Sequence, residues 1–304
     1  MRILLTGGSG MLGANLCLLN AGHELYPTYA THAIRHPNAL PLDVTDPVAV
    51  EATVARLRPE VIIHTAGMTK PLACEQNPEI THRVNVGGTK HLVEAAERVG
   101  ARFIFLSTDV VFGDSEAARD EASPTDPMSV YGRSKAVAEE VVARVSHDYA
   151  IVRISVLYGW SSRYSTSFAE WVLSQLRAGQ RAPLFADQWR QMTYIPDLVA
   201  VLYELATRPA PLNGILHVAG PDLVTRHDFG LELARVFGLP DVLVARASVR
   251  DLPSLAAISP DRAILDTHKM QCLLRARIAP VAEGLRDMQA REVAGYPMRF
   301  AAWF

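Results

Sequence analysis

The sequence predicts an α/β protein, a doubly wound parallel sheet with a smaller C-terminal lobe. Three observations predict it. Through the first half, short apolar runs alternate with longer helical patterns, as a parallel sheet covered by helices requires. A glycine-rich turn joins the first apolar run to the first helical pattern. The second half alternates less regularly, which marks a separate, smaller lobe.

The strands of the first half are read at about Arg2 to Thr6, Glu24 to Thr28, Val61 to Thr65 and Arg102 to Ser107, with a fifth near Tyr149 to Ile154. Helices are read from about Met11 to Asn20, Val48 to Leu57, Pro78 to Val99 and Ser129 to Val145. Pro78 suits a first helical turn and Gly100 a helix end. The division assigns 1–155, with about 193–220, to dinucleotide binding, and 156–192 with about 221–304 to substrate binding.

With 304 residues, 49% hydrophobic and 20% charged, the chain can bury one large core or two unequal ones. Its formal net charge of -2 and the absence of a lysine or arginine block argue against a nucleic-acid partner. No run has the length of a membrane span, and the first strand leaves no room for a signal peptide, so a cytoplasmic protein is expected. Cys17, Cys74 and Cys272 fit neither metal-ligand nor disulfide spacing and read as buried apolar thiols. The aromatic tail after Gly295 is too apolar to hang free, and is expected to dock on its own lobe or on a second subunit, which allows a homodimer.

Thr6-Gly7-Gly8-Ser9-Gly10-Met11-Leu12-Gly13 stands between first strand and first helix, where a Rossmann-type sheet carries its phosphate loop. Gly7 would allow the tight turn, Gly10 the approach of the pyrophosphate, and Gly13 close packing of helix on sheet. Leu42-Asp43-Val44-Thr45-Asp46 and His64-Thr65-Ala66-Gly67 bring further polar loops to the same edge. NAD binding calls for a carboxylate at the end of the second strand, and Tyr26-Pro27-Thr28-Tyr29 supplies none. With His32, Arg35 and His36 following, NADP(H) is favoured and NAD(H) is the alternative.

Tyr131-Gly132-Arg133-Ser134-Lys135 sets a phenol and an ammonium four residues apart, on one face of a helix. The charge of Lys135 would draw the phenol toward proton exchange near neutrality. The apolar run Phe103-Ile104-Phe105-Leu106 ends in Ser107-Thr108-Asp109 at the edge that holds the glycine loop. A hydroxyl there can hydrogen-bond a substrate carbonyl while Tyr131 donates a proton. Thr108, Tyr131 and Lys135 are therefore the candidate catalytic set.

On these residues the chain resembles the extended short-chain dehydrogenase/reductase family, and within it the dTDP-4-dehydrorhamnose reductase branch. Further markers are Asn85-Val86-Gly87-Gly88-Thr89, Arg153 to Gly159, Asp187-Gln188, Thr193 to Asp197, His217 to Pro221 and Leu265 to Lys269. The resemblance implies hydride delivery to a 4-keto nucleotide sugar held under the C-terminal lobe. It implies dinucleotide contacts from Gly7, Gly10, Met11, Leu12, Gly13, Asp43, Val44, Ala66, Gly67, Asn85, Ser107, Tyr131 and Lys135, with Arg35 added from the charge argument. Asp43 would sit by the adenine, and Asn85 would brace the catalytic lysine. Substrate contacts fall to Thr108, Asp109, Val156 and Gln188.

Val156 replaces that branch's sugar-facing tryptophan, and Met192 replaces a proline before the threonine. Ala14-Asn15-Leu16 follows Gly13 without the carboxylate that holds a metal in some members, so no metal is expected. Asp109-Val110 lacks the second acid of a dehydratase. Two alternatives stand beside a reductase: a nucleotide-sugar 4-epimerase that retains its cofactor, and a dinucleotide-binding regulatory subunit resembling that of methionine adenosyltransferase.

Overall fold

A computed structural model describes the whole chain, Met1–Phe304. The first half runs β1 (Arg2–Thr6), α1 (Met11–Leu18), β2 (Glu24–Tyr29), β3 (Leu40–Pro41), α2 (Pro47–Leu57), β4 (Val61–His64), α3 (Pro71–Gln76), α4 (Pro78–His82), α5 (Gly88–Val99), β5 (Arg102–Thr108), α6 (Val130–Val145) and β6 (Tyr149–Ile154). The second half runs β7 (Leu157–Tyr158), α7 (Phe168–Arg177), β8 (Ala182–Phe185), β9 (Trp189–Gln191), β10 (Thr193–Tyr194), α8 (Ile195–Thr207), β11 (Gly214–Val218), β12 (Leu223–Thr225), α9 (Arg226–Phe237), β13 (Val244–Ala247), α10 (Pro253–Ala256), α11 (His268–Leu273), α12 (Val281–Val293) and α13 (Tyr296–Trp303).

The main sheet has seven strands in the order β11-β6-β5-β4-β1-β2-β3, all paired in parallel. The strand order reverses between β1 and β4, so their carboxyl ends open a crevice there. Alternate strand residues feed two cores. Leu4, Ile62, Phe103, Phe105 and Ile151 pack with residues of α2, α5 and α6 on one face. Ile3, Leu5, Ile63, Ile104 and Val152 pack with α1, α8 and much of the second half on the other. Burial on both faces is why these strands read as continuous apolar runs rather than alternating ones. The remaining short strands form three two-stranded sheets in the second half. No helix is long and apolar enough to cross a membrane.

The helix expected from Pro78 to Val99 is continuous in path but not in type, because Arg83–Gly87 form a π-helical turn between α4 and α5. Thr89 Oγ1 donates to the Asn85 carbonyl at 2.6 Å, and paired glycines at 87 and 88 loosen the ladder there. Of the three cysteines, Cys17 and Cys74 are buried as expected; Cys272 is exposed on α11, beside His268.

The aromatic tail reaches farther than its own lobe. Phe300 and Phe304 enter the larger core, Tyr296 Oη donates to Asn15 Oδ1 of α1 at 2.9 Å, and the Trp303 carbonyl accepts the Arg35 amide at 2.7 Å. Tyr296, Phe300 and Phe304 are all buried, and each such ring contributes about 3–5 kcal/mol when truncated. Removing residues 296–304 is expected to lower Tm by at least about 5 °C in calorimetry. An unchanged Tm would contradict this account of the tail.

Candidate active site

The carboxyl edge of the sheet holds a cleft made of two adjoining cavities. One, of about 500 Å³, is lined by Gly7 and Gly10–Gly13, by Ala66, Gly67 and Asn85, and by Ser107, Thr108, Asp109, Tyr131, Lys135 and Val156. The other, of about 470 Å³, is lined by Tyr29, Asp43, Val44 and Arg83, and shares Gly7, Gly10 and Thr65–Met68 with the first. The sequence thus brings most of its candidate residues to one continuous surface.

The glycine loop is built for close approach. A Cβ on Gly13 would stand 2.2 Å from the Gly7 carbonyl oxygen, so any side chain there would push α1 off the loop. Gly10 stands at the N-cap of α1 without a side-chain cap, so the first amides of the helix are left without a side-chain partner where Gly10–Gly13 line the cavity. Ser162 Oγ donates to the Ser9 carbonyl at 3.1 Å, and Asn15 Nδ2 to the Trp160 carbonyl at 2.9 Å, so the second half buttresses the loop.

Tyr131 and Lys135 lie on the first turns of α6, which Ser129 caps by accepting the Gly132 amide at 2.9 Å. Gly132 explains how the phenol comes so near β5. A Cβ there would meet the Val110 carbonyl oxygen at 2.2 Å, so only glycine lets α6 press against the turn that carries Asp109. Asn85 reaches α6 from the π-helical turn: its Nδ2 donates to Ser134 Oγ at 2.9 Å and to the Met68 carbonyl at 3.0 Å, while Oδ1 accepts the Met68 amide at 2.8 Å. It therefore ties the helix of the lysine to the loop after β4.

Thr108 caps the 3-10 turn that follows β5, and its hydroxyl donates to Asp109 Oδ1 at 3.1 Å. Asp109 Oδ2 accepts Ser155 Oγ at 2.6 Å, so this buried carboxylate is held by two hydroxyls. Ser107, by contrast, turns its hydroxyl away to Glu139.

The expected lowering of the phenol is not what the site produces. Burial holds Tyr131 above its usual 10.0; the Thr108 hydroxyl pulls downward, while Asp109 and Cys74 add to the rise. Lys135 is itself buried and is lowered from 10.5 to about 7, with Glu139 opposing the fall. Desolvation is the largest cause of the shift in each group.

Two expected contacts lie elsewhere. The Arg35 side chain is exposed and lines neither cavity, because its backbone is fastened to Trp303 and its loop to Tyr164, on which His32 stacks at 4.6 Å. Arg83 is the cation that lines the smaller cavity. Gln188 is buried behind the wall rather than in it. It donates to Ser259 Oγ at 2.8 Å and accepts Arg226 Nε at 3.2 Å.

What Gln188 positions was missed in the sequence. Arg190 and Arg226 both line the larger cavity. Both terminal nitrogens of the Arg190 guanidinium are engaged, by Ser259 and by three carbonyls, those of Trp189, Pro260 and Asp261. Arg226 has the single Gln188 bond, lies over the Phe168 ring at 5.0 Å, and is lowered to about 10 by burial and then by Arg190, with Asp109 opposing. Two guanidinium groups thus face one carboxylate, which leaves a net positive wall. A signal was present: Arg226 opens α9 after its cap Thr225, where a cation opposes the helix dipole and needs another reason to be there.

Comparison with known proteins bears on the family and the fold. The model of the RmlD substrate binding domain matches residues 1–293. The chain is 32% identical over 300 residues to a probable low-salt glycan biosynthesis reductase of Haloferax volcanii, spanning 95% of this chain and 98% of that one. It is 27% identical over 291 residues to the beta subunit of methionine adenosyltransferase 2 of Xenopus tropicalis, spanning 94% and 86% of the two chains. Among solved structures, dTDP-4-dehydrorhamnose reductase from Bacillus anthracis in complex with NADP superposes with a TM-score of 0.84 at 26% identity, covering 95% of this chain and 99% of that one.

Proposed function

We propose that this chain, which belongs to the RmlD substrate binding domain family, reduces the 4-keto group of a nucleotide sugar, with NADP(H) preferred over NAD(H). One observation carries the reading: the glycine loop, Thr108, Tyr131, Lys135 and the Arg190–Arg226 pair all line a single cavity. The division of labour gives 1–155 and about 193–220 to the dinucleotide, and 156–192 with about 221–304 to the sugar, in a cytoplasmic enzyme.

The residues fit a dinucleotide, because the uncapped amides of α1 and the close-packed glycines leave a cradle for phosphates. When bound, that cofactor supplies the hydride. Tyr131 and Thr108 hold the carbonyl oxygen, and Tyr131 passes its phenolic proton to that oxygen as negative charge develops. Its raised pKa keeps the phenol protonated for this role. Lys135 supports the ribose and the phenol, and Asn85 holds its helix in place. Arg226, with unused guanidinium donors beside Arg190, takes the diphosphate of the substrate.

The test is purified protein with NADPH against a panel of 4-keto-6-deoxy nucleotide sugars, with product identification. Turnover of one panel member is expected. Arg226→Met is expected to raise the substrate KM roughly ten- to a hundredfold, the worth of a charged hydrogen bond, with a smaller change in kcat. Retained NAD in the purified protein would favour the 4-epimerase. The similarity to the methionine adenosyltransferase subunit supports a second reading, a dinucleotide-binding regulatory partner. Tight NADPH binding with no turnover on any keto-sugar would select it.

A further inference from the structure

Behind the catalytic lysine lies a buried charge relay that the mechanism above leaves unused. Helix α6 sets Tyr131, Lys135 and Glu139 at successive four-residue steps on one face. Glu139 is buried, and so is Arg153 of β6, which clamps it: Nε lies 3.0 and 3.2 Å from the two carboxylate oxygens, and Nη2 lies 2.7 Å from Oε2. Ser107 donates its hydroxyl to Glu139 Oε1. Beyond Arg153, Nη1 meets His217 Nε2 at 3.3 Å, and His217 Nδ1 meets the Asp266 carbonyl at 3.2 Å. That pattern requires a neutral His217 with its proton on Nδ1, so the relay ends without further charge.

We propose that Glu139 is a positioning residue that holds Lys135 in its ammonium form, and that Arg153 limits how strongly it does so. The proposal rests on the reductase reading for its catalytic meaning, but the charge coupling itself is independent of it. The argument is one of signs. Lys135 has no carboxylate partner at hydrogen-bond distance; its Nζ lies 3.9 Å from the centre of the Phe105 ring. The nearest anion on its own helix is Glu139, and that anion is shared with a guanidinium. Removing Glu139 strips Lys135 of an attracting charge and leaves it near an unbalanced Arg153. Removing Arg153 leaves the whole carboxylate to Lys135.

The other groups around the pair do not reverse these signs. His64 on β4 is fully buried, held neutral by burial and by the Lys135 charge, and bonded on both ring nitrogens to Thr6 and Thr89. Tyr131 and Asp109 line the cavity, where Asp109 and Cys74 act on the phenol. Phe105 on β5 carries no charge. The direction found for Lys135, lowered by burial and raised by Glu139, agrees with the geometry.

The test reads Lys135 directly, in full-length protein labelled with 13C at the lysine ε-carbon. The resonance is identified by its loss in Lys135→Met and titrated by NMR. The midpoint is expected to fall by about one unit or more in Glu139→Gln and to rise by a similar amount in Arg153→Met, one unit being a tenfold change in proton affinity. A purely structural ion pair would move neither midpoint, or both the same way, and either result overturns the proposal. Because each single variant strands a buried charge, the double variant Glu139→Gln with Arg153→Gln removes both. Its midpoint is expected to return close to that of the wild type, and a midpoint displaced as in Glu139→Gln would also overturn the proposal. The basic limb of kcat/KM should shift in parallel. Opposed NMR shifts in a protein that reduces no keto-sugar would sink the reductase reading and leave the Glu139 assignment standing; a working reductase with unmoved midpoints would do the reverse.

Discussion

Tyr131→Phe is expected to lower turnover by roughly a hundred- to ten-thousand-fold, the usual contribution of general acid catalysis, while dinucleotide affinity stays nearly unchanged. The variant keeps the half-buried ring that packs at the head of α6 and removes only the hydroxyl. Asp109 does not replace the proton, because its carboxylate is already engaged by Thr108 and Ser155. Thr108→Ala should be milder, since it removes one carbonyl hydrogen bond and the cap of the following turn, and Thr108→Ser should retain most activity because the hydroxyl survives. Steady-state kinetics with direct NADPH binding on the three variants checks this ordering. Full activity in Tyr131→Phe would end the proposed mechanism.

The central sheet was legible because its physics is local. Strands buried on both faces must be continuous apolar runs, and Val61–His64 and Arg102–Thr108 are such runs, framed by glycines and helix caps. The glycine loop and the Tyr131–Lys135 pair were legible for the same reason, since each is a short motif on a single turn. What failed depends on residues far apart in the chain. The place of Arg35 after β2 suggests a cofactor contact, but Trp303 decides where its backbone sits. The resemblance turns Gln188 toward the sugar, yet Ser259 and Arg226 claim both ends of its amide. Arg190 and Arg226 reach the cavity only because β9 and β12 pair across the second half, which no local pattern announces. The direction of the Tyr131 shift was misjudged because charge is visible in a sequence and desolvation is not.

Lys135→Met is expected to divide activity from stability. Activity should fall in both kcat and cofactor saturation, because in the proposed mechanism the ammonium supports the phenol and the ribose together. Stability should move the other way. Burial lowers the folded-state value of Lys135 from 10.5 to about 7, so between these values the unfolded chain binds a proton that the folded chain does not. Folding stability therefore rises with pH across that window, and below about 7 the fold carries the full cost of the buried charge, on the order of 5 kcal/mol. A methionine of similar length removes the charge without opening a large cavity. The variant should melt above the wild type at pH 6, and the gap should narrow as the pH approaches 10. The same ionisation gives the unliganded wild type a basic limb in kcat/KM near 7. Calorimetry at both pH values, beside the kinetics, checks the pair of effects, and a variant less stable than the wild type at pH 6 would show that the amine contributes more through its packing over Phe105 than its charge costs.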